Sequence, residues 1–241
     1  MSNIEDLKKE LRLLADPHRV AVLQGFFKTG PGDYGEGDIF LGIRVPVLRG
    51  VVKMYRDLPL EEVLEFLQSQ IHEERLAALL ILVEKYKQSS SAKAMADKEK
   101  IFKAYLANTK WINNWDLVDV TCHHIVGQYL IDKDRGVLYD LAKSADLWKK
   151  RIAVVSTFAF IRNNDFYDIL KIAEILVNDK HDLIQKAVGW MLREVGKRDR
   201  MVEEIFLKKY YRTMPRTMLR YAIERFGEEE RKFYLGRKEA L

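Results

Sequence analysis

Trp115, Asp119, Arg151 and Trp190 have the types and spacing from which chemistry could be built. In NNWDLVD, residues 113–119, a helical reading at about 100° per residue puts Trp115, Val118, Cys122, Ile125, Val126 and Tyr129 on one apolar stripe. Asp119 falls inside that stripe, between the directions of Trp115 and Val126. A carboxylate there gives up hydration and needs a cation or several hydrogen bonds in return. Aimed at a reacting centre, it could stabilise developing positive charge. Arg151 projects from LWKKRIAVVSTFAFIR, a segment apolar in nearly every direction, and is a plausible cationic partner one repeat away. Trp190, beside Gly189, adds a large aromatic at the matching place in the next repeat. The same residues would also fit an inter-helix salt bridge flanked by two core tryptophans.

Other candidate motifs are weaker. GPGDYGEGD, residues 30–38, contains Gly30-x-Gly32-x-x-Gly35, the dinucleotide-binding spacing. Pro31 removes one backbone N–H, and DIFLGIRVP follows where a helix should begin, so a flexible acidic loop is expected. Adjacent His123 and His124 point about 100° apart on a helix and cannot share one ion unaided. No HxxxH, CxxC, HExxH or G-x-S-x-G occurs, so neither metal nor cofactor is expected, and no nucleophilic triad.

Helices must position these residues. Segments such as ERLAALLILVEKYKQ, WDLVDVTCHHIVGQYL, LWKKRIAVVSTFAFIR and DLIQKAVGWMLREVGKR carry apolar residues at three- and four-residue spacing, and no long period-two run predicts a strand. MSNIEDLKKELRLL opens with Ser2-x-x-Glu5, a capping box. In PRTMLRYAIERFG, Pro215 and Gly227 bracket a last helix. Arg151, Lys186 and Leu219 occupy similar places at spacings of 35 and 33, with earlier copies at about 36 and 40. That periodicity predicts an all-α fold, an α-solenoid of HEAT-like helical repeats with a concave surface, as a single domain over residues 1–241.

The net charge of +5 is uneven. Residues 141–241 hold 22 Lys and Arg against 15 Asp and Glu, a net of +7, and residues 1–140 hold 19 against 21, a net of −2. A basic half suits an anionic partner such as nucleic acid, or is simply a solvated helical surface. No run of eighteen apolar residues is present, so no membrane span is expected. With a single cysteine, Cys122, there is no internal disulfide and a reducing compartment suits the chain. A cytoplasmic protein, nucleoid-associated if bacterial, is the expectation.

FLGIRVPVLR, AALLILVEKYKQ, NWDLVD, LWKKRIAVV and IQKAVGWMLRE, spread over roughly residues 20–225, resemble the AlkD-like family of alkylpurine DNA glycosylases, built from HEAT-like repeats. The family's functional residues fall on Trp115, Asp119, Arg151 and Trp190. The resemblance implies hydrolysis of the N-glycosidic bond of alkylated purines, such as 3-methyladenine and 7-methylguanine, in base excision repair. It implies Asp119 as the catalytic group, with Trp115, Arg151 and Trp190 on the substrate. Lys149, Lys150, Lys186, Arg193 and Arg216 are further candidates for the DNA backbone along the basic concave face. The expected partner is double-stranded DNA containing alkylated bases, bound by a monomer. Asn114 stands where the family motif often carries a tryptophan, TGPGDYGEGD lengthens the connection before FLGI, and Phe26 stands near a position that is tyrosine in some members. A HEAT-like scaffold that binds DNA or protein without catalysis is the alternative.

Overall fold

The computed structural model describes residues 3–88 and 92–236. Ser2, and with it the expected capping box, lies outside them. The first helix, Ile4–Leu13, is capped instead by Asn3, whose Oδ1 accepts the Asp6 N–H at 2.9 Å. Among the described residues the secondary structure is helical, without a strand. Ile39 and Ile71 form one isolated parallel bridge.

The helices fall into two compact units, Met1–Ile125 and Val126–Leu241. In the first, helix His72–Gln88 is central. Val45–Val52, Leu60–Phe66, Ala92–Ala107 and Trp115–Asp119 all pack against it. Residues Leu76 to Val83 are buried without interruption, which is why ERLAALLILV shows no polar face.

In the second unit the centre is Asp182–Gly196, packed by Leu147–Ser156, Tyr167–Leu176, Arg200–Tyr210 and Arg216–Ala222. Gly189 has a clear physical role there. A Cβ on it would run into the Met218 carbonyl and the Tyr221 Cβ, so the missing side chain lets helix Arg216–Ala222 close up. Trp190 follows directly and is carried on this tightly held surface.

Two runs that read as continuous helices are broken. LWKKRIAVVSTFAFIR divides into Leu147–Ser156 and Phe158–Ile161, with the Thr157 hydroxyl donating to the Val154 carbonyl at 2.6 Å. WDLVDVTCHHIVGQYL divides into Trp115–Asp119, a turn at Val120 and Thr121, and a π-helical segment at His123–Gly127. Thr121 is the cause. Its hydroxyl donates to the Leu117 carbonyl at 2.5 Å while its N–H turns to Val118 at 3.2 Å. Back-bonding of this kind competes with the helical ladder and bends it. The hydroxyl's single proton is thereby used, so the fully buried Tyr105 must donate to Thr121 Oγ1 across their 2.8 Å contact.

Candidate active site

Trp115 and Asp119 occupy the two ends of one five-residue helix. The break at Thr121 means that no single helical phase runs from Trp115 to Val126. The apolar stripe is nevertheless buried as expected, Val118, Cys122, Ile125 and Val126 fully and Trp115 and Tyr129 partly, but Asp119 is partly exposed rather than sealed among them. His123 Nδ1–H donates to the Asp119 backbone carbonyl at 3.1 Å, tying the π-helical turn to the end of the helix. A carboxylate at such a rim can reach a ligand while its backbone is held.

Trp115 is the middle of an aromatic stack. Its ring lies 5.2 Å from Phe27 at 30°, and Phe26 meets it edge-on at 5.6 Å and 73°. Phe27 continues inward onto Phe40 at 5.3 Å and 11°. Phe27 is 6% exposed and Phe26 is 62% exposed, so the stack runs from the core to the surface. Offset and edge-on pairs of this sort contribute about 0.5–1.5 kcal/mol each beyond area burial, and they fix the ring planes. The negative face of a half-buried indole is the part of such a stack that attracts a planar, cationic guest.

Charge lies behind the stack. His72 is 2% exposed, with Nδ1 at 3.0 Å from Asp38 and Nε2 at 2.8 Å from Asp116. Arg75 donates to the other Asp38 oxygen at 2.5 Å, and the Asn114 amide donates to Asp38 at 3.3 Å. Burial alone would lower the His72 pKa, but the Asp116 and Asp38 carboxylates raise it to about 9. Burial likewise opposes ionisation of Asp38, yet the His72 and Arg75 contacts bring its pKa below the ordinary value. The group is close to charge-neutral as a set, which is what lets it stay buried. Both histidine nitrogens are taken up by carboxylates, and among the described residues no group of three or more His, Cys, Asp or Glu side chains is placed to hold a metal ion.

The 30–38 segment is a loop of turns, as expected, but its end is fixed. Asp38 anchors its end in this network. Gly35 donates to the Lys28 carbonyl at 3.1 Å and sits so close to the Phe27 carbonyl, 2.6 Å from an added Cβ, that no side chain fits. Asn114 is fully buried. Its Oδ1 accepts the Trp115 N–H at 2.8 Å while its amide reaches Asp38, so it joins the insertion to the Trp115 helix.

In the second unit, Arg151 is 5% exposed and donates from a terminal guanidinium nitrogen to the Leu183 carbonyl at 2.5 Å. The N-terminus of its helix is capped by Asp146, which accepts from Trp148 and Lys149 backbone N–H groups at 2.8 and 3.0 Å. Trp190 is partly exposed, donates its indole N–H to Glu194 at 3.1 Å and faces Phe158 at 6.2 Å. The candidate backbone cations divide. Lys150 pairs with Asp179 at 2.7 Å, Lys186 with Asp182 at 2.6 Å, and Arg193 with Glu224. Lys149 and Arg216 are partly exposed and have no ion-pair partner among the described residues.

Sequence reading missed Phe27, Asp38, His72, Asn114 and Asp116 as one cluster. His72 and Asp38 are separated by 34 residues and from Asp116 by 44 and 78, beyond any helical spacing rule. One signal was available. Asp116 is the first acidic residue of the W-D-x-V-D segment and Asp119 the second, and two carboxylates on one short helix invite a search for two separate partners.

The sequence profile of a family described as DNA alkylation repair enzyme matches residues 7–226. A solved structure described as a predicted DNA alkylation repair enzyme from Enterococcus faecalis superposes with a TM-score of 0.66, covering 89% of this chain and 97% of that one at 18% identity. At that identity the likeness speaks to the fold. A comparison with curated proteins gives no match. The profile match takes in both the Trp115–Asp119 helix and the Asp182–Gly196 helix, and the chain belongs to the DNA alkylation repair enzyme family.

Proposed function

We propose that the protein is a DNA N-glycosylase that releases alkylated, cationic purines such as 3-methyladenine and 7-methylguanine from duplex DNA. The observation that carries this reading is the partly exposed Asp119 on the same short helix as Trp115, whose stack reaches the surface at Phe26. Alkylation at a purine ring nitrogen leaves the base positively charged and already a good leaving group. A strong general acid is then unnecessary, and the remaining barrier is oxocarbenium-like charge on the deoxyribose.

Asp119 stabilises that charge and orients a water for attack at C1′. The C1′–N bond breaks with its electron pair leaving on the purine. The C1′–O bond forms, and the water's proton passes to the carboxylate and on to solvent. Trp115 holds the lesion, cation–π attraction of about 0.5–2 kcal/mol favouring the cationic base over a neutral one, and Trp190 is a further aromatic for the substrate. Arg151, already fixed to the Leu183 carbonyl, serves as a positioning or phosphate-clamping cation. Lys149 and Arg216 are the first choices for backbone phosphates, because ion pairs already occupy Lys150, Lys186 and Arg193. HEAT-like stacking of the helices into a curved, basic surface for the duplex, bound by a monomer, belongs to the same proposal.

The direct test is to incubate methylated duplex DNA with the protein and separate free bases by chromatography. Release of 7-methylguanine above the spontaneous rate is expected. DNA binding without release would make the protein a scaffold.

A further inference from the structure

The residues on either side of Trp115 both end in the same buried network. Asn114 reaches Asp38 at 3.3 Å, and Asp116 reaches His72 Nε2 at 2.8 Å. Behind Trp115, Phe27 stacks on it at 5.2 Å and meets the His72 ring at 5.1 Å with a 34° tilt, and Phe40 covers the same imidazole at 4.6 Å. The indole is therefore bracketed along the chain and backed through space by one histidine.

We propose that the Asp38–His72–Asp116 bridge positions Trp115, clamping the 30–38 insertion, the start of helix His72–Gln88 and helix Trp115–Asp119 together, and that the clamp requires both ring nitrogens of His72 to carry protons. For the lesion-holding role of Trp115 this rests on the proposed function; the clamp itself does not. The protonation follows from geometry. Ionised carboxylates only accept, so a ring with one carboxylate on each nitrogen must donate twice, and a neutral imidazole would turn a lone pair on one of them. The charge count agrees: the Asp38 and Asp116 carboxylates face the His72 and Arg75 cations. The other acidic groups near the helix start are engaged elsewhere. Glu73 accepts the Leu41, Gly42 and Ile43 N–H groups at 2.8–3.2 Å, and Glu74 accepts the Ser69 hydroxyl at 2.6 Å.

His72 has its pKa raised to about 9 from 6.5, so the clamp's contribution to stability is fully present below pH 6.5, and the doubly protonated ring itself is lost as the pH rises through about 9. Asp38→Asn removes one of the two carboxylates. The midpoint should then move down by at least one pH unit, because a neutral ring can accept from the new amide while still donating to Asp116.

The experiment follows three signals between pH 6 and 9.5: the His72 ring nitrogens and the Trp115 indole N–H by NMR, and the steady-state kinetics (KM and kcat) with methylated duplex DNA as substrate. In the wild type, His72 should hold two ring protons at pH 7, and the Trp115 resonance and KM should change together near pH 9. In Asp38→Asn both transitions should shift downward together. His72→Gln should raise KM about tenfold while leaving kcat within twofold, and should flatten the alkaline transition. A single ring proton at pH 7, or a Trp115 signal indifferent to the His72 titration, overturns the clamp. Should His72→Gln not fold, the Asp38→Asn titration decides between the two outcomes. A wild type that frees no base defeats the glycosylase reading, and the coupling between the His72 and Trp115 signals still decides the clamp.

Discussion

Trp115 lies between two phenylalanines in the first unit, with its neighbours Asn114 and Asp116 both tied into a buried ionic network. Trp190, in the second unit, has a distant tilted contact to Phe158 and donates its indole N–H to Glu194, on its own helix. One indole is bracketed by groups from separate parts of the chain, whereas the other is hydrogen-bonded within its own helix. Buried charge differs in the same way. The first unit assembles Asp38, His72, Asp116 and Arg75 into a balanced set. The second buries Glu203 at 2% exposure with Oε1 lacking any hydrogen-bond partner. Burial pushes the Glu203 pKa up to about 8, with Arg200 and Arg193 opposing. Both units leave single polar atoms unsatisfied, Glu74 Oε1 and Arg75 Nε in the first and Glu203 Oε1 in the second, but only the first gathers its buried charges into a set that holds one aromatic ring.

Three sets of substitutions sharpen or break this contrast. The largest effect is expected of Asp119→Asn, which should slow 7-methylguanine release by about 10²-fold or more, as loss of a charge-stabilising group does. Because Asp119 is partly exposed, melting temperature and duplex affinity should stay near wild type. An unchanged rate in single-turnover assays removes Asp119 from the reaction.

Trp115→Ala and Trp190→Ala come next, compared by urea unfolding. Trp115→Ala loses contacts with Phe26 and Phe27 and should cost about 2–3 kcal/mol, below the range for a fully buried tryptophan. Trp190→Ala should cost about half of that. Equal losses would show that the two rings are held alike.

Glu203→Gln should have the smallest effect, and it depends on pH. The folded pKa is raised, so the carboxyl's stabilising neutral form is fully present below about 4.5, the unfolded value, and is lost as the pH climbs through about 8. The variant should match the wild type below pH 4.5 and gain on it progressively as the pH rises to 9. Parallel stability curves for the two proteins would place Glu203 among ordinary solvated carboxyls.

Much of the helical pattern is local and was legible in residue order. Helix Asp182–Gly196 follows from its apolar spacing, the close approach at Gly189 from a glycine inside that pattern, and the place of Pro215 from its fixed φ. The segments that point to the family are also local, and they singled out Trp115, Asp119, Arg151 and Trp190 as positions to inspect. The orientation of Asp119 was not legible. Asp119 closes its short helix at the turn that Thr121 makes by bonding the Leu117 carbonyl, a competition that an ideal helical wheel leaves out, and its exposure there depends on the surrounding packing.

By itself, then, the sequence determined the helices, the apolar faces they bury and the short motif that carries Trp115 and Asp119, because each depends on residues within a few turns of one another. Only the tertiary structure decided that Asp38, His72 and Asp116 meet, that Asn114 is a connector and that the glycine-rich insertion is anchored. Those contacts join residues 34 to 76 positions apart, and at such separations it is packing, and the need to compensate buried charge, that selects the partner.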